Sequence, residues 1–177
     1  MPYIDLPHAP GLLSLLQKFP ATAGPLAELA QTLLRGPSSL TPAEREVIAA
    51  YVSDLNECFF CAETHAATAA EMLGPDRAVM DQVREYGDKA PVSGRIQALL
   101  TIASKVRESG RAVTAEDVDR ARAEGADDRA IHDTVLVTAA FCMFNRYVDG
   151  LATWAPTDAD SYRMFGADLA AHGYRRR

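Results

Sequence analysis

Cysteine is scarce in this chain and its count is odd, three among 177 residues. That speaks against a secreted disulfide framework, which needs a dense, even set. Aromatic residues are few, six Phe, six Tyr and one Trp, and long β-branched runs are missing. A sheet-built core therefore has little to draw on. No apolar run approaches a membrane span, and Met1 to Pro7 has neither the basic start nor the apolar stretch of a signal peptide. Net charge is −6, and the only basic cluster, Arg175-Arg176-Arg177, reads as a solvated tail. Neither nucleic acid nor membrane is an expected partner. The expected location is the cytoplasm, where thiols stay reduced.

Alanine-rich segments of helical period fill the rest. The chain is long enough for one domain with a substantial core, residues 1–177, with 1–20 as an N-terminal arm. A short helix from Gly11 is ended by Pro20, and a second runs from Thr22 or Pro25 to Arg35. Thr41-Pro42-Ala43-Glu44 is a strong helix start, with a threonine cap, a proline in the first turn and a glutamate placed for a capping box. That helix continues to Leu55. Further helices are expected over about Cys58–Met72, Asp76–Tyr86 and Gly94–Ser109, then from a Thr114 cap to Gly125. A long apolar segment, Ile131–Trp154, and a last helix, about Asp158–Ala171, follow. The fold class is all-α, a single-domain bundle of about eight helices. Around Phe141 the long segment leaves almost no polar face, so it is central or covered by a second subunit, the latter preferred.

Two thiols and an imidazole lie in the nine residues Glu57-Cys58-Phe59-Phe60-Cys61-Ala62-Glu63-Thr64-His65. On a helix, Cys58 and Cys61 are three apart and Cys61 and His65 four apart, so all three share a face. His65 can accept the proton of Cys61. Cys58, where the helix begins, should be the more acidic thiol, because unpaired N–H groups and the macrodipole favour thiolate there. Such a pair can close a disulfide within one turn, which makes two-electron redox chemistry the leading reading. Structural zinc wants four ligands. Only three lie near the motif, and His132 and Cys142 belong to another helix, so no metal is expected.

Other polar residues carry duller readings. Glu46, inside the third helix, would pair with Arg45 or face water. Glu63 reads as surface, and Cys142 as core. His132 and Asp133 would stabilise a first helical turn or reach a site, and Asn145, Arg146 and Asp149 would form a hydrogen-bonded cluster.

Glu46, twelve residues before Cys58, together with Cys58-X-X-Cys61-X-X-X-His65, resembles the active-site signature of the alkylhydroperoxidase D-like family within the carboxymuconolactone decarboxylase superfamily. Leu40 to Glu46, Asn56 to Cys61 and Phe144 to Gly150 look like its peroxidase-related branch, so residues 40–151 form the recognisable core. The resemblance implies the alkylhydroperoxidase D-like bundle and gives each residue a role. Cys61 would be the peroxidatic thiol, Cys58 the resolving thiol, and His65 with Glu46 the proton relay. One departure is that alkylhydroperoxidase D proper has a second histidine between its cysteines, where this chain has Phe59 and Phe60.

The function this implies is a thiol-dependent peroxidase that reduces hydroperoxides through a Cys58–Cys61 disulfide, with no cofactor. The reductant would be a dithiol, in better-known members a lipoyl-bearing protein. The family forms homo-oligomers, so a dimer, trimer or hexamer is expected. The alternatives are a dithiol–disulfide oxidoreductase acting on another electrophile, or a non-catalytic redox-responsive helical assembly. Decarboxylation is disfavoured, since that branch of the superfamily does not rely on a cysteine pair.

Overall fold

The computed structural model describes residues 1–175. Among these, nine α-helices follow one another: α1 (Leu12–Lys18), α2 (Pro20–Arg35), α3 (Pro42–Leu55), α4 (Phe59–Leu73), α5 (Ala78–Tyr86), α6 (Gly94–Glu108), α7 (Ala115–Ala123), α8 (Asp128–Gly150) and α9 (Ala159–His172). The chain is all-α, and no helix among the described residues is long and apolar enough to cross a membrane. Arg176 and Arg177, part of the basic tail, lie outside the described residues.

The third helix starts as its sequence dictates. Thr41 Oγ1 accepts from the Glu44 N–H at 3.1 Å, Glu44 Oε2 accepts from the Thr41 N–H at 2.7 Å, and Pro42 needs no hydrogen-bond acceptor in the first turn. Every residue from Arg45 to Ser53 is buried, so α3 is the central rod. It packs against α4, α8, α6 and α2. Ile48, Val52, Leu99, Leu100 and Val137 meet around it with no exposed surface. Each such side chain stabilises the fold by about 1.5–3 kcal/mol.

Small residues on α4 let a neighbour come close, and that neighbour is α9. A methyl group added at Gly166 would stand 2.7 Å from the carbonyl carbon of Ala67, so only glycine permits the contact. Helix α9 thereby lays Tyr162 and Phe165 over the start of α4.

Boundaries shift where proline and glycine act. Pro20 begins α2 instead of only ending α1, because a first-turn position needs no N–H donor. Helix α8 stops at Gly150, before Trp154; Ala152 follows with φ 50°, and the N-terminal arm takes up the freed carbonyls. The Tyr3 N–H donates to the Leu151 carbonyl at 3.1 Å, the Gly11 N–H to that of Trp154 at 2.9 Å, and His8 stacks on Trp154.

Candidate active site

The turn from α3 into α4 sets the cysteines in place. Asn56 ends α3, and Glu57 takes φ 58°, a left-handed conformation uncommon for a residue with a side chain. The chain then reverses, the Cys58 N–H donates to the Ser53 carbonyl at 3.0 Å, and the Cys58 carbonyl opens α4 by accepting from Ala62. Cys58 is fully buried and Cys61 4% exposed; both are free thiols. Phe60, Val148 and Tyr162 pack around them, joined by Leu12, Ala67 and Phe165. The wall is apolar, and it pushes the Tyr162 phenol up to about 12, mainly through burial.

The start of the helix does not make Cys58 acidic. Its hydrogen bond with Cys61, its burial and the charge that Cys61 would carry all push its pKa upward. As the residue just before the first turn, Cys58 makes no side-chain capping bond, so the helix terminus does little for its thiolate. Its thiol also faces the carboxylate of Asp149, whose own pKa is raised by burial and moderated by that contact.

Glu46 is the most fully engaged polar side chain of the site. It has no exposed surface, and Oε2 lies 2.7 Å from His65 Nδ1. Oε1 pairs with Arg35 Nη1 at 2.6 Å and accepts from the Tyr174 hydroxyl at 2.6 Å. Burial alone would raise this carboxyl's pKa; the charge and hydrogen bond of His65, the charge of Arg35 and the Tyr174 hydroxyl outweigh it and hold the value below the ordinary carboxylate range. With Nδ1 held by the carboxylate, Nε2 is the ring nitrogen left open to exchange a proton. Cys61 lies one helical turn before His65 on the same face of α4. Phe141 of α8 meets the imidazole edge to face at 4.6 Å, and Tyr174 stacks on its other side at 6.0 Å. The arrangement offers an imidazole nitrogen, oriented by a buried carboxylate, that can accept a proton and return it.

Several sequence readings change here. Glu46 does not pair with Arg45, whose guanidinium donates to the carbonyls of Leu33 at 2.8 Å and Gly36 at 3.0 Å. Asn145, Arg146 and Asp149 form no mutual cluster. Asn145 joins Ser53 and Asn56, Arg146 donates to its own helix at the Cys142 carbonyl, and Asp149 faces Cys58. Asp133 accepts from Ser38, Arg129 and His132, tying α8 to the loop before α3. Cys142 is partly buried against the core, with Asn56 Nδ2 3.6 Å from its sulfur, and Glu63 is ion-paired with Arg84. The tail is not simply solvated, since Arg175 pairs with Glu28 at 2.6 Å.

Arg35 and Tyr174 were missed by reasoning from sequence. They stand 11 and 128 positions from Glu46, and no local spacing links them to it.

Comparison with known proteins places this geometry. Residues 20–84 match the sequence model of the carboxymuconolactone decarboxylase family. Over 92% of this chain and 94% of the other, the structure is similar to that of an uncharacterized peroxidase-related protein from Silicibacter sp. TM1040, at 26% identity and a TM-score of 0.76. In fold and in this sequence segment the chain resembles the alkylhydroperoxidase D-like branch of the carboxymuconolactone decarboxylase superfamily. A second structure, described as an alkylhydroperoxidase AhpD core and an uncharacterized peroxidase-related protein from Ralstonia eutropha JMP134, is also 26% identical, with a TM-score of 0.78 over 89% of this chain and 81% of that one. A search of curated proteins finds no match. Between the two cysteines, Phe60 packs with Tyr162 and Phe165, and Phe59 stands half exposed.

Proposed function

We propose that the protein is a thiol-dependent peroxidase. The observation that carries this reading is the 2.7 Å contact between Glu46 Oε2 and His65 Nδ1, which leaves Nε2 free on the helix face that also bears Cys61. His65 takes the proton of Cys61. The thiolate attacks one peroxide oxygen, the O–O bond breaks, and the departing alkoxide takes up a proton to leave as ROH, with Cys61 now a sulfenic acid. The sulfur of Cys58 then displaces water from Cys61, and a Cys58–Cys61 disulfide forms. The balance is ROOH plus two thiols giving ROH, water and a disulfide. A dithiol partner restores the thiols.

Cys58 suits the second step better than the first, because its raised pKa keeps it a thiol until Cys61 has reacted. The apolar wall of Phe60, Val148 and Tyr162 favours an uncharged hydroperoxide over an anion, whose burial there would be costly. The name peroxidase-related, carried by both structural neighbours, agrees with this chemistry. Leu136 and Met143 of α8 are 40% and 43% exposed with Ala139 between them, an apolar edge suited to a second copy of the chain.

The test is peroxide consumption in the presence of a dithiol. Cys61→Ser should abolish it. Cys58→Ser should stop after one turnover, holding a sulfenic acid that a cyclic diketone traps. Undiminished consumption by Cys61→Ser would end the reading.

A further inference from the structure

The C-terminal segment beyond α9 is unusually well anchored for so short a piece of chain. Gly173 ends the helix with φ 70° and sends the backbone toward α2. A side chain there would be strained by that φ, and its β-carbon would meet Gln31 Oε1 at 2.5 Å. Gln31 Oε1 accepts from the Tyr174 N–H at 2.8 Å, and Arg175 makes a two-pronged pair with Glu28 at 2.7 and 2.6 Å. Between these anchors the Tyr174 ring turns inward. It lies under the Arg35 guanidinium, 5.1 Å from the centroid, and against the His65 imidazole, while its hydroxyl reaches Glu46 Oε1 and stands 3.2 Å from His65 Nδ1. Arg35 completes the closure by donating to the Leu169 carbonyl of α9 at 3.1 Å.

We propose that Gly173–Arg175 is a strap that seals the Glu46–His65 pair from water and that Tyr174 is a positioning residue for it, a role that rests on the relay reading above. The ring is the seal, since without it a side chain with no exposed surface, Glu46, would meet solvent. The hydroxyl is a brake. By donating to Oε1 beside Arg35 it draws carboxylate charge away from Oε2, the oxygen that holds the His65 proton. The phenol stays protonated, because burial and the adjacent Glu46 charge both oppose its ionisation. The titratable and charged groups around the pair are Arg35 on α2, Arg45 on α3, Cys58 and Cys61 at the start of α4, and Tyr174. Helix α8 presents Phe141, and α9 the Leu169 carbonyl.

Seal and brake make opposite demands on two variants of one residue. The experiment follows iodoacetamide alkylation of Cys61 against pH in a Cys58→Ser, Cys142→Ser background. The midpoint of the profile reads thiol ionisation whatever the reagent's access to the buried sulfur, so the outcome is independent of whether peroxide is the substrate. Tyr174→Ala admits water, weakens the hold of Glu46 on the imidazole, and should move the profile's midpoint up by about one unit, slowing alkylation at neutral pH about tenfold. Tyr174→Phe keeps the ring and removes only the hydroxyl, and should move the midpoint down, by less than one unit. A purely structural strap would lower thermal stability in both variants and leave both profiles where they are. Unchanged profiles in two variants that circular dichroism shows to be folded would overturn the proposal, as would equal upward shifts in both.

Discussion

Replacing Glu46 with glutamine keeps shape and removes charge, and the surroundings decide how the amide sits. Arg35 and Tyr174 present donors to Oε1, and His65 Nδ1 faces Oε2. Either orientation costs the largely buried Arg35 guanidinium its counter-charge, but if the amide nitrogen turned toward Arg35 that guanidinium would also face another buried donor, at about 1–3 kcal/mol more for each group left unpaired. If it turns toward His65, the only further loss is one hydrogen bond rearranged, about 1 kcal/mol. The second orientation wins. The amide N–H₂ then donates to Nδ1, the imidazole proton moves to Nε2, and His65 can no longer accept a proton from Cys61. Glu46→Gln should therefore slow peroxide-driven loss of the Cys61 thiol by roughly 10²–10⁴, the usual worth of a general base. It should also destabilise the fold by up to about 3–5 kcal/mol, since Arg35 keeps only a neutral partner. The assay is a single-turnover thiol titration by rapid quench with excess hydroperoxide, beside urea unfolding at neutral pH. A folded variant within about threefold of the wild-type rate would refute the tautomer argument.

The same carboxylate sets an acid limit. Its pKa is depressed in the fold, so its contribution is complete above the ordinary value of 4.5 and is lost as pH falls through the lower folded value. The stability gap between wild type and Glu46→Gln should narrow below that range in urea titrations, and a constant gap down to about pH 2 would contradict it. Cys58 works at the other end. Its raised pKa gives stability that is full below the ordinary 9.0 and declines as pH climbs above it, so wild type should lose stability in alkali faster than Cys58→Ser. Parallel alkaline curves would count against the burial argument. Gly166→Ala brings a β-carbon to 2.7 Å from the Ala67 carbonyl carbon and should lower the unfolding free energy by about 1–3 kcal/mol, checked by urea midpoint. An unchanged midpoint would mean that α9 yields easily.

What could be read in the sequence was what local geometry decides. Thr41, Pro42 and Glu44 announced α3 because a cap, a proline and a capping glutamate act within four residues. The small residues of α4 announced a close neighbour without naming α9, since the complementary Gly166 stands far along the chain. The acidity of Cys58 went the wrong way for the same reason. A helix-terminus argument is local, whereas the burial and the Cys61 and Asp149 contacts that override it are tertiary. Arg35 and Tyr174 lay beyond any spacing rule, and a tail of three arginines reads as solvent-facing until Glu28 and Gln31 are seen to hold its first residue and the tyrosine before it.

The most direct test of the central claim is a thiol count with peptide mapping on fully reduced protein, before and after one equivalent of an organic hydroperoxide. The expected result is rapid loss of two of the three free thiols, with Cys58 and Cys61 recovered as one linked peptide and Cys142 unmodified. Persistence of all three thiols in folded protein would contradict the peroxidase reading and leave the family resemblance as a statement about fold alone.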